Sequence, residues 1–295
     1  MPSDRPDASP GDRAFALLQL GLPTRWLSQL VFRVTQVRHP GFKNWLIRLF
    51  LRGYTIDLGE AERERIEDYA SFNDFFTRAL KPGARPMPDD AQTFVSPVDG
   101  TISQFGTIDE DRLIQAKGRD YRIGELLAEH PAAADFIGGE FCTIYLAPYN
   151  YHRIHMPLDG RVIDWTYVPG RLFSVNMATA RAMPRLFARN ERLNARFETP
   201  AGPFVLSMIG ALFVGSLETV WSGRVTPPHL RRGGDCYTPM RPVALARGDE
   251  MGRFNMGSTV ILLAPKGAVD WSTSLAPGQP VRLGQALGRW NPKHS

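Results

Sequence analysis

Short runs of β-branched and aromatic residues, separated by glycine, proline and aspartate, fill most of the chain after residue 93. Such runs are typical of strands joined by tight turns, which pair antiparallel. Strands are predicted over residues 94–95, 101–105, 141–146, 161–168, 204–214, 219–221 and 259–263, and helices over 71–80 and 178–187. The sequence therefore predicts an α+β fold: a mostly antiparallel β-sandwich or barrel-like body, preceded by amphipathic helices.

The segment before this body is basic. Residues 13–53 contain seven arginine and lysine residues and no aspartate or glutamate, although the whole chain carries a net charge of only +5. Apolar stripes at helical spacing occur in residues 24–37 and 40–52. These helices either lie in a membrane surface, with their cations on anionic lipid, or pack their stripes on the protein. Basic residues that alternate with large apolar ones favour a lipid surface over nucleic acid.

The chain is predicted to have three parts: a disordered tail (1–12), membrane-associating amphipathic helices (13–57) and a catalytic domain (58–295). No signal peptide is expected, because the polar start has no apolar core after it. Cys142 and Cys236 form no C-x-x-C pattern, which favours a reducing compartment over a disulfide framework. The least polar window, 203–221, is broken by glycines and a glutamate, so no membrane-spanning helix is predicted.

Three segments carry candidate catalytic side chains. Asp99 lies in Ser-Pro-Val-Asp-Gly, His152 and His155 lie in Tyr-His-Arg-Ile-His, and Ser258 directly precedes a predicted strand. Each segment also has a structural interpretation, since Asp-Gly is a common hairpin turn and recurs at Asp159 in a second Pro-x-Asp-Gly copy. Two histidines at i and i+3 can ligate a metal, but no further ligand has a convincing spacing, so no metal site is predicted.

Asp99, His155 and Ser258 together supply the carboxylate, imidazole and hydroxyl that activate a serine nucleophile. Ser258 lacks the G-x-S-x-G elbow of a common hydrolase class, which indicates that the bond it attacks is its own peptide bond. One alternative is a lipid-ester hydrolase that uses the same three residues and stays a single chain. The other is a membrane-binding scaffold in which Asp99 and Ser258 are only turn residues.

With these motifs, the chain resembles the phosphatidylserine decarboxylases, in particular the membrane-associated bacterial type. The matching segments are Ser71-Phe-Asn-Asp-Phe-Phe-Thr-Arg78, Ser96-Pro-Val-Asp-Gly100, Gln115-Ala-Lys-Gly118, Tyr151-His-Arg-Ile-His-Met-Pro157, Phe173-Ser-Val-Asn176, Phe187-Ala-Arg-Asn-Glu191, Glu218-Thr-Val-Trp221 and Gly252-Arg-Phe-Asn-Met-Gly-Ser-Thr259. One departure is Met256, where the family has leucine. The exchange keeps volume and apolarity, so no functional change is expected.

The resemblance implies a proenzyme that cuts itself between Gly257 and Ser258. In that scheme His155, oriented by Asp99, takes the proton of Ser258, whose oxygen attacks the Gly257 carbonyl. Ser258 becomes a pyruvoyl group, which forms a Schiff base with the substrate amine and accepts electrons as carbon dioxide leaves. His152 is the candidate proton donor in decarboxylation.

The resemblance further implies conversion of phosphatidylserine to phosphatidylethanolamine and carbon dioxide, a step of phospholipid biosynthesis. Ser174 and Asn176 are candidate substrate-binding residues. The only cofactor implied is the covalent pyruvoyl group, without metal or pyridoxal phosphate. Expected partners are phosphatidylserine in the bilayer, an anionic membrane surface on the cytoplasmic face of the cell membrane, and the other product of the cut. The large and small chains would form a heterodimer, with further dimerisation left open, and no nucleic acid is expected to bind.

Overall fold

The computed structural model describes residues 8–116, 119–213, 216–226, 235–255 and 258–292. Its seven α-helices over these residues are α1 (Pro10–Gly21), α2 (Thr24–Thr35), α3 (Pro40–Gly53), α4 (Phe72–Phe76), α5 (Ile123–Leu127), α6 (Met177–Ala182) and α7 (Leu186–Arg189). Short 3₁₀ helices cover Leu58–Glu60, Ile66–Asp68 and Pro131–Phe136.

The strands of the first half are β1 (Thr93–Val95), β2 (Gly100–Thr107), β3 (Arg112–Ala116), β4 (Arg119–Arg122), β5 (Glu140–Leu146), β6 (Arg153–His155), β7 (Gly160–Val168), β8 (Arg192–Thr199) and β9 (Gly202–Ile209). Those of the second half are β10 (Leu217–Thr219), β11 (Gly223–Arg224), β12 (Cys236–Tyr237), β13 (Ala244–Leu245), β14 (Glu250–Phe254), β15 (Ser258–Ala264), β16 (Val269–Trp271), β17 (Pro280–Val281) and β18 (Ala286–Trp290).

The largest sheet has nine strands, in the order β12-β7-β8-β9-β15-β5-β2-β17, with β13 also paired to β7. Its strand pairings over the described residues are all antiparallel. Strand β15 lies near its middle, between β9 and β5, and each of its seven residues is buried. The predicted α+β class is thus confirmed, and among the described strands the sheet keeps two ends and does not close into a barrel.

Smaller sheets flank this core. Strands β11, β10, β14 and β6 form one of four strands, and β1, β18 and β16 form one of three. Because β14 lies directly before β15 in the chain, the four-stranded sheet leads into the centre of the large one.

The two Pro-x-Asp-Gly segments occupy equivalent places in a structural repeat. Strands β2 and β7 begin at the glycines of these segments, and β17 pairs with β2 as β13 pairs with β7. Likewise β18 pairs with β1 as β14 pairs with β6. The segments also contact each other, since the His155 amide donates to the Pro97 carbonyl (2.9 Å) and the Val95 amide to that of Pro157 (3.4 Å). The weak echo in the sequence therefore corresponds to a duplicated hydrogen-bonding framework.

Helices α1 and α2 pack on the body mainly with small or polar residues, Phe32 being the exception. The buried residues are Ala16 and Gln19 in α1, and Thr24, Ser28, Phe32 and Thr35 in α2. Large apolar side chains of the same helices are exposed: Leu17, Leu18, Leu20, Trp26, Leu30 and Val34. The alternative in which the helices bury their apolar stripes on the protein therefore does not hold for α1 and α2.

Helix α3 has a mixed position. Ile47 is fully buried in a cluster with four aromatic residues (Tyr69, Phe72, Phe75 and Phe76). Lys43 is also buried, because its ammonium donates to the carbonyls of Ile66 (3.2 Å) and Glu67 (3.1 Å). Trp45 and Leu49 nevertheless remain exposed on the same helix. No helix of the described segments is long and apolar enough to span a bilayer.

Several predicted elements have different bounds in the structure. The helix predicted over 71–80 ends at Phe76, although Ser71 caps it as expected, accepting from the Asp74 amide. The helix predicted over 178–187 is two helices, α6 and α7, because Pro184 between them cannot donate a backbone hydrogen bond. Strand β8 lies outside the predicted strands. The strand predicted over 204–214 ends already at Ile209, and residue 214 lies outside the described residues.

Candidate active site

Asp99 is buried in an ion-pair network. Its carboxylate accepts two bonds from the Arg85 guanidinium (3.0 and 2.7 Å) and one from the Leu283 amide (2.8 Å). Glu60 accepts from the same guanidinium (2.8 Å) and also pairs with Arg282 (3.0 Å). Burial alone would lower the pKa of Arg85, but the bonds to Asp99 and Glu60 raise it. Asp99 therefore sits opposite a fixed positive charge.

His155 has both ring nitrogens engaged. Nδ1 lies 2.8 Å from the Gly248 carbonyl, which can only accept, so Nδ1 carries the proton. Nε2 is then the acceptor and takes the hydroxyl hydrogen of Tyr151 (3.0 Å). Burial lowers the pKa of His155, although the Gly248 bond and the charges of Glu250 and Asp99 act in the opposite sense. The imidazole is thus neutral near pH 7 and has a basic Nε2.

The sequence-based scheme has Asp99 orient His155, and the structure differs on this point. Among the described residues no hydrogen bond joins the two side chains. The Gly248 carbonyl sets the tautomer instead, from a backbone position with φ of +89° that favours glycine. Asp99 acts on His155 only through its charge.

His152 is fully buried, with its ring stacked on that of Phe76 at 4.2 Å. Its Nε2 lies 3.1 Å from the Ala147 carbonyl and so carries the proton, which leaves Nδ1 with a free lone pair. Nδ1 has no hydrogen-bond partner within the described structure. Burial, and next the charge of Arg78, lower the pKa of His152 to about 3.

Ser258 is fully buried at the start of β15, opposite Leu146 of β5. Its Oγ has no hydrogen-bond partner among the residues described. Just before it, Asn255 is held by Asn73 through its side chain (2.8 Å) and by the Ser216 carbonyl through its amide (3.1 Å). The chain is therefore anchored on both sides of residues 256 and 257. Gly257, the other half of the predicted cleavage site, lies outside the described residues.

The pairing of β14 with β6 places the two histidines at different distances from Ser258. His155 lies opposite Glu250, at the start of β14, whereas the Phe254 amide at its end donates to the His152 carbonyl (3.0 Å). Residues 250 and 254 of a strand are about 13 Å apart, at 3.3 Å per residue. His152 is thus nearer than His155 to the end of β14 that leads into Ser258.

A cleft of about 320 Å³ opens beside Asp99, and we call it the Asp99 cleft. Its lining includes the charged side chains of Glu60, Arg78, Arg85, Asp99 and Arg282 and the aromatic ring of Tyr149. Two other cavities in the described part of the chain are not lined by any candidate catalytic residue, whereas this one is lined by Asp99.

Ser174 and Asn176 do not line this cleft. The Ser174 amide donates to Gln19 of α1 (2.7 Å), and Asn176 caps α6 by accepting from the Thr179 amide (2.9 Å). Both residues therefore have structural roles in joining α1 and α6 to the body, and their substrate-binding role stays a prediction.

Three residues of this site were not among the candidates predicted from the sequence. Tyr151 lies inside the Tyr-His-Arg-Ile-His motif, in which the histidines are the more reactive candidates. Arg85 and Gly248 are far from their partners in sequence, so no local pattern indicated them.

One cluster has potential metal ligands among the described residues: His130, Asp164 and Cys236, with ligand atoms within 4.8 Å of one another. Asp164 is already paired with the Arg196 guanidinium. His130 Nδ1 accepts from the Ala132 amide (3.1 Å), so the proton is on Nε2, the nitrogen that faces Cys236. The Asp164 carboxylate is thus already neutralised, and the His130 nitrogen that faces Cys236 carries a proton instead of a free lone pair. We therefore assign no metal site to this cluster.

Comparison with known proteins agrees with this site. A family model described as phosphatidylserine decarboxylase matches residues 72–289, and a second model, described as PSD, matches residues 14–55. The chain belongs to the phosphatidylserine decarboxylase family. The resemblance noted in the sequence is thus confirmed, and the two models together include α1–α3 and the segments with Asp99, His152, His155 and Ser258.

Curated relatives in this family match along almost their whole length. The chain is 50% identical over 280 residues to the phosphatidylserine decarboxylase proenzyme of Nitrosococcus oceani, which covers 94% of this chain and 92% of the relative. It is 48% identical over 284 residues to that of Pseudomonas fluorescens (95% and 99%) and 47% identical over 279 residues to that of Hahella chejuensis (94% of each). Each relative is named as a proenzyme.

The residues at the candidate cleavage site fit a cofactor made from Ser258. The Ser258 hydroxyl and His152 Nδ1 are both buried polar atoms without partners in the described structure. Leaving such atoms unsatisfied is costly, so two of them at the candidate cleavage site support a functional role for Ser258 and His152.

Proposed function

We propose that this protein decarboxylates phosphatidylserine to phosphatidylethanolamine, using a pyruvoyl group that it makes from its own Ser258. Membership of the family supports the reaction, and the names of the relatives support synthesis as a proenzyme. The observation that carries the assignment of Ser258 is its buried, unpartnered hydroxyl at the first residue of β15.

Self-cleavage begins when a base removes the Ser258 proton and Oγ adds to the Gly257 carbonyl. The acyl group moves from nitrogen to oxygen, giving an ester and a free amine. Loss of the α-proton of residue 258 then breaks the Cβ–Oγ bond, and Gly257 leaves as a carboxylate. The remaining dehydroalanine takes up water and loses ammonia, which leaves a ketone at the new N-terminus.

In this scheme His155 is the base for cleavage, with Asp99 stabilising the protonated ring. The neutral state of His155 and the basic Nε2 support this role. Tyr151 now occupies Nε2, so the proposal requires Tyr151 to give up that position when Ser258 reacts.

The pyruvoyl group supplies an electron-accepting carbonyl for the electrons left when carbon dioxide departs. His152 is proposed to hold and deliver the proton that the substrate α-carbon takes up. Its Nδ1 is free, and its position at the Ser258 end of β14 supports the role.

We further propose that the enzyme is peripheral to the cytoplasmic face of the membrane, through α1–α3. Exposed tryptophan and leucine on these helices suit the headgroup region. Arg13, Arg33, Arg38, Arg48 and Arg52 are exposed beside them and suit anionic lipid. Both cysteines are free, as expected in a reducing compartment.

The test of this function uses intact mass and carbon dioxide release from phosphatidylserine in detergent micelles. The wild-type protein should consist of residues 1–257 and 258–295, the second blocked at its N-terminus, whereas Ser258→Ala should be uncut and inactive. An active protein that is a single unmodified chain would contradict the proposal.

The separate roles of the histidines need a second measurement. His152→Ala should cut itself but release carbon dioxide at least about 100-fold more slowly, the usual range for loss of an acid–base group. A His152→Ala protein that folds but stays uncut would show that His152 belongs to cleavage instead.

A further inference from the structure

The Asp99 cleft contains an arginine whose charge is not balanced by the protein. Arg78 is only 5% exposed and lines the cleft. Its Nε has no hydrogen-bond partner among the described residues, and its bond from Nη2 to the Tyr149 carbonyl is long at 3.5 Å. It forms no salt bridge with any described residue.

Another buried arginine of the chain shows what a purely structural role looks like. Arg192 is 3% exposed, and its guanidinium donates to four backbone carbonyls. These bonds measure 2.6–3.0 Å. Arg78 is similarly buried, but its guanidinium has only the long Tyr149 bond and a position over the Phe75 ring, 5.7 Å from the ring centroid. Its burial therefore costs free energy that fewer hydrogen bonds offset.

Apart from Arg78 and the exposed Asp57, the charged groups of the cleft are already paired. The Asp99 carboxylate accepts from Nε and Nη2 of Arg85, and the Glu60 carboxylate pairs with Arg85 and Arg282. Asp99 is near enough to raise the pKa of Arg78, yet burial dominates and lowers it. Arg78 is therefore the buried cation of the cleft that remains free to bind an anion.

We propose that Arg78 binds the phosphodiester of the phospholipid substrate, an inference that rests on the proposed decarboxylase function. A guanidinium presents several donors in a planar fork that suits phosphate oxygens. The substrate also has a carboxylate, but that group loses its charge as carbon dioxide forms. An arginine bound to it would stabilise the bound substrate more than the transition state and slow the reaction. The phosphodiester keeps its charge throughout.

The mouth of the cleft is suitably placed for a membrane lipid. Thr55 and Ile56, just after the end of α3, contribute to its lining. At the same edge the ring of Tyr54 contacts that of Tyr149, with centroids 6.0 Å apart. A headgroup could thus reach Arg78 while the acyl chains stay beside the exposed apolar face of α3.

Arg78 is also close to the other candidate catalytic groups. It lies two residues after Phe76, which stacks on His152, and its charge helps to lower the pKa of His152. A phosphodiester bound at Arg78 would reduce that effect and make His152 easier to protonate when substrate is present. The headgroup amine and carboxyl lie on the far side of the phosphodiester from the acyl chains, toward the His152 end of the site.

The experiment compares wild type, Arg78→Gln and Arg78→Lys, with Arg161→Gln as control. Arg161 is exposed on β7, so its variant makes the same charge change away from the cleft. We expect the KM for short-chain phosphatidylserine to rise at least about tenfold in Arg78→Gln, with an intermediate rise in Arg78→Lys. We expect kcat to change less than threefold, and Arg161→Gln to match the wild type.

Product inhibition identifies the group that Arg78 binds. Short-chain phosphatidylethanolamine keeps the phosphodiester and lacks the carboxylate, so its Ki should rise by the same factor as KM. An unchanged Ki with a raised KM would assign Arg78 to the carboxylate and overturn the proposal. Arg78-dependent competition by inorganic phosphate as strong as that by the lipid would indicate a free-phosphate site and also overturn it.

A binding measurement covers the case in which Arg78→Gln fails to mature. Calorimetric titration of short-chain phosphatidylethanolamine into uncut Ser258→Ala protein, with and without Arg78→Lys, should show weaker binding in the double variant. Equal affinities in folded proteins would contradict the proposal. A wild type that neither cuts itself nor releases carbon dioxide would instead refute the proposed function.

Discussion

Asp99 and Asp159 occupy equivalent turns, but only Asp99 is buried and paired with a cation in the candidate active site. Each accepts a 2.8 Å bond from a backbone amide in the matching strand connection, Leu283 for Asp99 and Arg247 for Asp159. Asp159 is exposed, whereas Asp99 is 7% exposed and opposite Arg85. The turn is common to both, and burial with a fixed counter-charge distinguishes Asp99.

This pair provides a matched test of the role of Asp99 in maturation. Asp99→Asn keeps an oxygen for the Leu283 amide but loses the charge that would stabilise protonated His155. We expect self-cleavage to slow at least about 100-fold, and Asp159→Asn to cut within about twofold of the wild-type rate. Denaturing gels over a time course measure both, with melting temperatures to confirm folding. Equal cleavage rates in the two variants would remove the special role of Asp99.

The buried neutral His152 predicts a specific acid sensitivity. Its pKa is about 3 in the folded protein, below the value of about 6.5 for an unfolded chain. The unfolded state therefore binds the proton first on acidification, and stability falls as pH drops below about 6.5. Between pH 7 and pH 5 this should cost about 2 kcal/mol of unfolding free energy.

Urea unfolding of uncut Ser258→Ala protein at the two pH values measures this effect. Adding His152→Asn should reduce the loss of stability between pH 7 and pH 5 by about that amount. His39→Asn changes an exposed histidine and keeps a residue that can cap α3, so it should leave the loss unchanged. A His152→Asn protein with the full loss would show that other groups cause it.

At the scale of elements, α1 and α2 have the opposite polarity to ordinary surface helices. Glutamine, serine and threonine face the body, and leucine, tryptophan and valine face outward. Gln19 is fixed by Thr179 (3.3 Å) and the Ser174 amide (2.7 Å), and Asp12 pairs with Arg181 (3.0 Å). Polar contacts thus hold these helices on the body, and their exposed apolar side chains remain free to contact a lipid surface.

Removing two exposed tryptophans should weaken attachment to vesicles. Trp26 and Trp45 are 61% and 56% exposed, and burying a large apolar side chain contributes roughly 1.5–3 kcal/mol. Trp26→Gln with Trp45→Gln should lower partitioning into anionic vesicles at least about tenfold in sedimentation assays. Ile137→Gln with Met240→Gln removes exposed apolar residues elsewhere and should have little effect. Equal losses in both double variants would argue against a dedicated lipid face.

At the scale of the whole molecule, β15 explains how a cut chain can stay folded. It pairs with β5 over seven residues and with β9 over five, and its side chains are buried throughout. Strands β16 and β18, later in the same fragment, pair with each other, and β18 also pairs with β1. The proposed small chain is therefore built into two sheets of the large one.

We therefore expect the chains 1–257 and 258–295 to remain associated after cleavage. They should elute together in gel filtration under native conditions and separate only in denaturant, because removing β15 would expose the centre of the sheet. Elution of the small chain alone from native, active protein would contradict this arrangement.

Much of this fold followed from local pattern. Residues 141–146 and 161–168 were predicted as strands because β-branched and aromatic residues concentrate there, and β5 and β7 agree. Strand β8 could have been found from its alternation of Leu193, Ala195 and Phe197 with polar residues. The repeat has a further signal in the sequence, a Gly-Arg-aromatic-Asn run at the ends of β14 and β18.

The sequence by itself determined the family, the α+β class and the candidates Asp99, His152, His155 and Ser258, because their motifs are local in the chain. Only the tertiary structure decided that Arg85 rather than His155 holds Asp99, that Gly248 sets the His155 tautomer, and that Arg78 has no salt bridge among the described residues. It also decided which side of α1 and α2 faces outward. Such contacts join residues distant in sequence, and burial, which sets both charge balance and pKa, exists only once the chain has packed.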